Sequence, residues 1–209
     1  MDPAECEIIR GEAGVTDKLF KVVLIGSASV GKSCILLRAG KDEFKDAYNV
    51  TVGTDMCNLT VRVKTATVAL QIWDTAGMEQ FRSVIKVFFN GAHAVLLVYD
   101  ITRKDTFDVL DMWLQMIRDS ASPDVKVVLI GNKADDAENR QVSSELGKQY
   151  TGQNGLFEFV ETSAKTGEGI LPIFKRLAME LYIESLSKAS GASGRKLVSG
   201  KKGKKEGCC

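Results

Sequence analysis

The sequence predicts an α/β fold with three layers, in which a mainly parallel sheet of six strands is covered by helices on both faces. Short, strongly apolar runs alternate along the chain with longer segments of helical period. The run Ala94–Asp100 is apolar at almost every position, which is typical of a parallel strand buried on both faces. Polar segments follow several of these runs. Alternation of this kind builds open sheets, whose ligands bind beyond the carboxyl ends of the strands.

The amino-terminal half is predicted to contain three strands and one helix. The apolar run Leu19–Ile25 predicts the first strand, and the apolar residues that start at Cys34 predict a helix ending near Gly40. Residues 41–54 are polar and lack a clear period, so a loop is predicted there. The runs Met56–Val63 and Val68–Trp73 are joined by a polar turn, which predicts a pair of strands.

The carboxyl-terminal half is predicted to alternate strands with helices. Its apolar runs predict three strands, at Ala94–Asp100, Val125–Ile130 and Leu156–Val160. Helical periodicity predicts three helices, at Thr106–Ser120, Ser143–Tyr150 and Gly169–Leu186. His93, the only histidine, precedes one of these strands, and no pattern of catalytic side chains accompanies it, so a structural role is predicted.

The chain of 209 residues fits one domain with flexible ends. We predict a flexible extension at 1–17, a globular domain at 18–187 and a basic tail at 188–209. No apolar run approaches transmembrane length, and the polar start of the chain does not resemble a signal peptide. The five cysteines are scattered, which favours reduced thiols over a disulfide framework.

The charges are distributed unevenly along the chain. The net charge is +1 overall, but the tail from Lys188 onward has seven basic residues and one acid, Glu206. The preceding residues are therefore mildly acidic. This asymmetry predicts that the tail, rather than the body of the protein, meets an anionic surface.

A glycine-rich segment, GSASVGKS at Gly26–Ser33, connects the first predicted strand to the first predicted helix. Strand, G-x-x-x-x-G-K-S and helix together predict a phosphate-binding loop. Glycines allow successive N–H groups to converge on an anion, and the helix adds the positive end of its dipole. Lys32 is predicted to contact the outer phosphates and Ser33 to ligate Mg²⁺. A glycine-rich turn without a ligand is the disfavoured alternative.

Two further segments are predicted to approach the terminal phosphate. Asp74 follows a strand and is predicted to hold Mg²⁺ directly or through water, while Gly77 allows its N–H to approach the γ-phosphate. Thr51 lies in the polar loop between the first helix and the second strand. Its hydroxyl is predicted to complete the Mg²⁺ shell only when a triphosphate is bound, so that the loop orders with nucleotide state.

Two loops near the carboxyl ends of the last strands are predicted to recognise guanine. The Asp135 carboxylate can accept two hydrogen bonds from adjacent N–H and NH₂ donors, which guanine has and adenine lacks. The aliphatic stem of Lys133 can lie over the base. The segment Thr162–Lys165 follows the next strand and can donate backbone N–H groups to the guanine oxygen.

These motifs together resemble the Ras superfamily of small GTPases, through GSASVGKS, Thr51-Val52-Gly53, WDTAG, NKAD and ETSAK. The segments WDTAGMEQFRSVIKVFFNGAH and VLLVYDIT and the final two cysteines resemble the Rab branch. The resemblance implies a switch in membrane traffic that binds GTP or GDP with Mg²⁺. It implies nucleotide contacts from Ser27, Ala28, Ser29, Val30, Gly31, Lys32, Ser33, Cys34, Tyr48, Thr51, Gly77, Asn132, Lys133, Asp135, Ser163, Ala164 and Lys165.

The sequence departs from the family at the position that usually orients the attacking water. Met78 stands where the family usually has Gln, and a thioether cannot donate a hydrogen bond. Weak intrinsic hydrolysis is therefore predicted, with Gln80 as an unfavoured substitute for the missing side chain. Met56, in turn, replaces a usual Phe in a predicted effector patch with Trp73 and Phe89, although these three residues can instead simply pack the sheet.

The tail resembles a doubly prenylated Rab terminus. Cys208 and Cys209 are the final residues and follow a basic, glycine- and serine-rich linker. Two lipids anchor a protein stably, and lysines add attraction to anionic lipid. The resemblance therefore implies prenylation and membrane-extraction chaperones, and a place on the cytoplasmic face of an intracellular membrane in exchange with the cytosol. A free-thiol tail is the alternative.

Three functions are compatible with the sequence. The first is a monomeric GTPase switch with effector, exchange and activating proteins as partners. The second is a scaffold that stays loaded with GTP, which Met78 favours. The third is a phosphate-loop kinase or ATPase, against which the loops at Asp135 and Ala164 argue. Nucleic-acid binding is not expected, because only the tail is basic.

Overall fold

A computed structural model of the chain describes residues 5–10, 15–45, 54–75 and 86–193. Seven strands form one sheet: β1 (Cys6–Ile9), β2 (Lys18–Ile25), β3 (Thr54–Val63), β4 (Ala66–Thr75), β5 (Ala94–Asp100), β6 (Lys126–Asn132) and β7 (Glu158–Thr162). The helices are α1 (Lys32–Lys41), α2 (Lys104–Asp108), α3 (Leu110–Ser120), α4 (Ser144–Asn154) and α5 (Ile170–Ser193), with a 3₁₀ turn at Ala137–Asn139.

The strand order is β1-β3-β4-β2-β5-β6-β7. Strands β4, β2, β5, β6 and β7 are parallel to one another. Strand β3 is antiparallel to both of its neighbours, β1 and β4. The order in which strands are added changes side at β2: β3 and β4 lie on one side of it, and β5, β6 and β7 lie on the other. The carboxyl end of β2 is therefore the point where ligands are expected in an open sheet.

Two hydrophobic clusters confirm that helices cover both faces of the sheet. Alternate residues of the central strands point to opposite sides, because successive side chains in a strand do so. Leu24 and Leu96 pack with α1 and α5, whereas Ile25 and Leu97 pack with α2 and α3. The fully buried Trp113 belongs to the second cluster. His93 has a structural place, since its Nδ1 accepts a hydrogen bond from the backbone N–H of Lys21.

The sheet has one strand more than the six that the sequence predicts. Strand β1 lies inside the predicted flexible extension 1–17 and pairs antiparallel with the second half of β3, from Cys6 opposite Val63 to Ile9 opposite Thr60. The prediction was wrong there because four residues are too few to show a clear period. Cys6 is only 3 % exposed, so β1 contributes a buried side chain to the core.

The last helix runs further than predicted. It continues to Ser193, past the boundary placed at residue 187. Lys188 stabilises this extension, because its ammonium forms ion pairs with Glu184 one turn earlier at 3.0 Å and with Asp124 before β6 at 2.9 Å. A smaller difference occurs at 106–120, where the predicted single helix is two helices separated at Val109.

Candidate nucleotide site

The loop between β2 and α1 has a backbone that requires glycine at two positions. Gly26 has φ 142°, and a Cβ atom there would lie 2.1 Å from the carbonyl oxygen of Val98. Gly31 has φ 96°, and its Cβ would lie 2.4 Å from the side-chain nitrogen of Asn132. The two glycines of the sequence motif are therefore needed for the close approach of neighbouring strands and loops as well as for curvature.

Lys32, the first residue of α1, turns back into this loop. Its ammonium donates hydrogen bonds to the carbonyl oxygens of Gly26, at 2.9 Å, and Ser27, at 2.8 Å. Burial lowers the Lys32 pKa to about 8, against the opposing influence of the Asp74 carboxylate. A buried cation without a full counter-charge is costly, so the site favours the binding of an anion.

Ser33 and Asp74 bring a hydroxyl and a carboxylate together beside the loop. The Ser33 hydroxyl donates a hydrogen bond to Oδ2 of Asp74, which is fully buried at the end of β4. Mg²⁺ prefers oxygen ligands and needs only one or two from the protein when phosphates and water supply the others. The Ser33 hydroxyl and the Asp74 carboxylate supply two such oxygens, so this pair fits Mg²⁺ bound together with phosphate.

Asn132, at the end of β6, joins the phosphate loop to the loop after β7. Its Nδ2 donates to the carbonyl oxygen of Val30 at 2.8 Å. Its Oδ1 accepts from the Thr162 hydroxyl at 3.1 Å and from the backbone N–H of Ala164 at 3.2 Å. Because Asn132 is 1 % exposed, these contacts fix the separation between the loops.

Asp135 and Ser163 meet at the predicted base-recognition site. The Ser163 hydroxyl donates to Oδ1 of Asp135 at 2.6 Å and accepts from the backbone N–H of Thr166 at 3.0 Å. Within the part of the chain that the structure describes, Oδ2 of Asp135 makes no hydrogen bond. The Asp135 carboxylate is exposed, and Ser163 orients it through Oδ1. Oδ2 is available to accept hydrogen bonds, which suits the donors of a guanine edge.

Lys133 extends between the base-recognition loop and the end of β5. Its backbone is in the left-handed region, with φ 68°, and its ammonium pairs with Oδ2 of Asp100 at 2.6 Å. Asp100 is fully buried, and its Oδ1 accepts from the backbone and hydroxyl of Thr102. This ion pair anchors the Lys133 ammonium at the end of β5, and the aliphatic stem that precedes it is the part predicted to lie over a base.

Arg38 is a site residue that the sequence reasoning missed. It lies on α1, and its guanidinium donates to the carbonyl oxygens of Ala164, at 3.0 Å, and Lys165, at 2.7 Å. Its side chain is largely buried although the helix around it is mostly apolar. The signal that would have identified it is a lone arginine within a mostly apolar helical segment. Arg38 therefore ties the helix of the phosphate loop to the second base loop.

The structure brings most of the predicted site residues to the carboxyl edge of β2, β4, β6 and β7. These are Ser27, Ala28, Ser29, Val30, Gly31, Lys32, Ser33, Cys34, Asp74, Asn132, Lys133, Asp135, Ser163, Ala164 and Lys165. Seven others lie outside the described residues: Tyr48, Thr51, Gly77, Met78, Gln80, Cys208 and Cys209.

The predicted effector patch differs in one member. Met56 is 40 % exposed and lies opposite Trp73 in the pairing of β3 with β4. Phe89, however, is only 1 % exposed and packs in the core with α3, so its placement on the surface was wrong. Its neighbour Phe88 contacts Trp73 instead, with ring centroids 5.8 Å apart.

Comparison with known proteins places this site in a family context. The sequence model of the Ras family matches residues 21–183. The chain is 37% identical over 200 residues to the Ras-related protein SEC4 of Candida albicans, covering 92% of this chain and 95% of that protein. It is 44% identical over 177 residues to the GTP-binding protein YPTM1 of Zea mays, covering 85% and 84% respectively. It is 38% identical over 197 residues to the Ras-related protein RABD2a of Arabidopsis thaliana, covering 92% and 97%.

Proposed function

Because the chain belongs to the Ras family of small GTPases, we propose that it is a Rab-like switch in vesicle traffic that binds GTP and GDP with Mg²⁺. The observation that carries the proposal is the bridge made by Asn132 between the phosphate loop and the base loops. The bridge holds the phosphate loop with Lys32 and the base loop with Asp135 at a fixed separation. One nucleotide that contacted both loops would require such a fixed separation.

In the proposed reaction, water adds to the γ-phosphorus while the bond to the oxygen bridging the β- and γ-phosphates breaks, giving GDP and inorganic phosphate. Lys32 supplies positive charge to the outer phosphates, and the loop amides orient them. Ser33 and Asp74 would hold Mg²⁺, which neutralises charge that develops on the phosphates when it is bound.

The base specificity is tested by Asp135→Asn. The variant is expected to lose about a hundredfold or more in affinity for GDP, because the acceptor loses its charge and one of its two oxygens becomes an NH₂ group that faces a guanine donor. It is expected to gain affinity for xanthosine diphosphate, because the Asn amide can donate to the 2-oxo group of xanthine. Asp136→Asn, which alters the neighbouring carboxylate, is the matched control and should leave both affinities unchanged.

Fluorescence titration with GDP, xanthosine diphosphate and ADP measures these affinities. Wild-type protein that bound ADP as tightly as GDP would contradict a guanine-nucleotide function. Equal losses from the variants at 135 and 136 would contradict the assignment of the base contact to Asp135.

We propose further that intrinsic hydrolysis is slow, because Met78 stands at the position of the water-orienting Gln. Met78→Gln is expected to raise the single-turnover rate by roughly tenfold or more. Gln80→Ala, made in both backgrounds, determines whether Gln80 contributes. A wild-type rate as fast as that of Met78→Gln would contradict the proposed impairment.

A second candidate function is favoured by the same residue. If hydrolysis is negligible, the protein would remain loaded with GTP and act as a scaffold that recruits effectors. The nucleotide recovered from protein purified from its native cells separates the two: mostly GTP supports the scaffold, and mostly GDP supports the switch. Exchange and activating proteins would be needed only by the switch, which we propose to be monomeric.

We propose that Cys208 and Cys209 carry prenyl groups and that the basic tail contacts anionic lipid on the cytoplasmic side of an internal membrane. Prenylation and extraction chaperones would be partners of this segment. Among the described residues, no helix has both the length and the apolar content that crossing a bilayer demands. Mass spectrometry of the last peptide tests the modification, and unmodified cysteines would contradict it.

A further inference from the structure

Arg103 is a charged residue beside the phosphate loop to which neither the motif nor the proposed reaction assigns a role. It precedes α2, and its Nη1 donates a hydrogen bond of 3.5 Å to the carbonyl oxygen of Ala28. The bond is long, but the donor is held in place. Nη2 and Nε of Arg103 form two hydrogen bonds with the Asp105 carboxylate, at 2.6 and 3.3 Å.

The backbone around Arg103 is also anchored. The buried Thr106 hydroxyl donates to the Arg103 carbonyl oxygen at 2.7 Å and accepts from the backbone N–H of Asp100 at 3.0 Å. The hydrogen bonds to Asp105 raise the pKa of Arg103 and lower that of the Asp105 carboxylate. The guanidinium is charged throughout the physiological range, and its two hydrogen bonds to Asp105 restrain it beside the loop.

The contact made by Arg103 falls on one peptide group in the phosphate loop, the one between Ala28 and Ser29. No peptide bond in the described chain is cis. In a trans peptide, the carbonyl oxygen and the following N–H point in opposite directions. Arg103 binds the Ala28 carbonyl, so the Ser29 N–H points away from Arg103. That N–H donates no hydrogen bond among the described residues, and it is available to a phosphate in the loop.

Ser29 makes this support more important. Its φ is 64°, in the left-handed region that favours glycine over a residue with a Cβ atom. Ala28 and Ser29 are both exposed at the tip of the loop, so burial does not hold them. An external contact is then needed to keep the Ala28–Ser29 peptide in the orientation that serves an anion.

We propose that Arg103, held by Asp105, is a positioning residue that fixes the Ala28–Ser29 peptide with its N–H directed at the phosphates. The proposal rests on the nucleotide-binding function proposed above. A charged donor on the carbonyl also polarises the peptide and strengthens the N–H as a donor. The expected consequence is slow release of bound nucleotide.

Dissociation of GDP from the full-length protein tests this role. Arg103→Ala is expected to raise the dissociation rate about tenfold, as the loss of one charge-assisted contact would. Arg103→Lys should raise it less, since an ammonium keeps the charge but not the two-pronged contact with Asp105. The matched control is Lys104→Ala, because Lys104 pairs with Asp108 on the same helix, and its rate should equal that of the wild type.

A second substitution separates positioning from a general structural role. Ser29→Gly removes the cost of the left-handed conformation, so adding it to Arg103→Ala should recover part of the lost retention. The Ser29 amide resonance in NMR spectra should shift or broaden in Arg103→Ala and not in Lys104→Ala, whether or not nucleotide is bound.

Four outcomes would overturn the inference: a dissociation rate for Arg103→Ala within twofold of wild type, an equal change in Lys104→Ala, no recovery with Ser29→Gly, or an unchanged Ser29 resonance. If wild-type protein bound no guanine nucleotide, the proposed function would fail. The change of the Ser29 amide resonance in Arg103→Ala would then still test the positioning role of Arg103, because it is measured without nucleotide.

Discussion

The charge of Lys32 in the phosphate loop depends on pH close to neutrality. Its pKa is lowered by burial to about 8 from the usual 10.5, so the ammonium is partly deprotonated at mildly alkaline pH. Burial therefore favours the neutral amine in the folded protein more than in the unfolded chain, where the pKa stays near 10.5. The free energy of unfolding contributed by this group therefore increases as pH rises from about 8 to 10.5.

We predict that nucleotide binding takes up a proton at Lys32, because the phosphates favour the charged ammonium. Uptake from this group should be larger at pH 8.5 than at pH 7.5, because the free protein loses the Lys32 proton around pH 8, whereas the nucleotide phosphates are already ionised. Calorimetry of GDP binding in buffers of different ionisation enthalpy measures it. An uptake that did not increase between these two pH values would contradict the lowered pKa.

Residues of the site differ in how well the sequence identifies them. Lys32 and Ser33 belong to a short contiguous motif whose chemistry depends on local backbone, so their roles can be inferred without a fold. Arg38 contacts Ala164, which is 126 positions away, and Arg103 contacts Ala28 across 75 positions. Such contacts are created by the packing of distant elements and leave no periodic pattern in the chain.

Among the helices, α4 offers a direct test of packing because it contains two glycines in different surroundings. A Cβ on Gly147 would lie 2.4 Å from two carbon atoms of the Phe159 ring. A Cβ on Gly152 would meet no heavy atom within 4 Å. The two positions share a helix, so intrinsic helix propensity acts on both in the same direction.

We predict that Gly147→Ala lowers the free energy of unfolding by about 1–3 kcal/mol, because the Phe159 ring must be displaced. We predict that Gly152→Ala raises it by about 0.5–1 kcal/mol, because alanine restricts the unfolded chain and favours helix. Urea denaturation at a fixed GDP and Mg²⁺ concentration measures both. The same sign for the two variants would contradict the packing of α4 on β7.

Helix and strand types follow from the sequence more readily than their limits. The apolar runs of β5 and β6 are unmistakable because both faces are covered. The division between α2 and α3 at Val109, where φ is −96° and ψ is 5°, has no glycine or proline to announce it. Strand β1 forms because it pairs with the edge of β3. This pairing is a tertiary contact, and a run of four residues does not encode it locally.

For the whole molecule, the reversal of strand order at β2 explains why one loop dominates the site. Within the described sheet, the connections that follow β2 and β4 go to opposite sides, which leaves a crevice at the carboxyl end of β2. The segment Gly26–Ser33 leaves β2 at this point and occupies the crevice. The alternation of strands and helices predicts this crevice, and Asn132 and Arg38 add the cross-links that make it rigid.

The position of Lys188 has a consequence for orientation. Its ion pair with Asp124 places the end of α5 beside the amino end of β6, whereas Lys32 and Asp135 lie at the carboxyl ends of the strands. The described chain thus ends at the pole of the molecule opposite Lys32 and Asp135. If the last residues are lipid-anchored as proposed, the face that carries Lys32 and Asp135 starts on the far side of the molecule from the point of attachment, open to partners in solution.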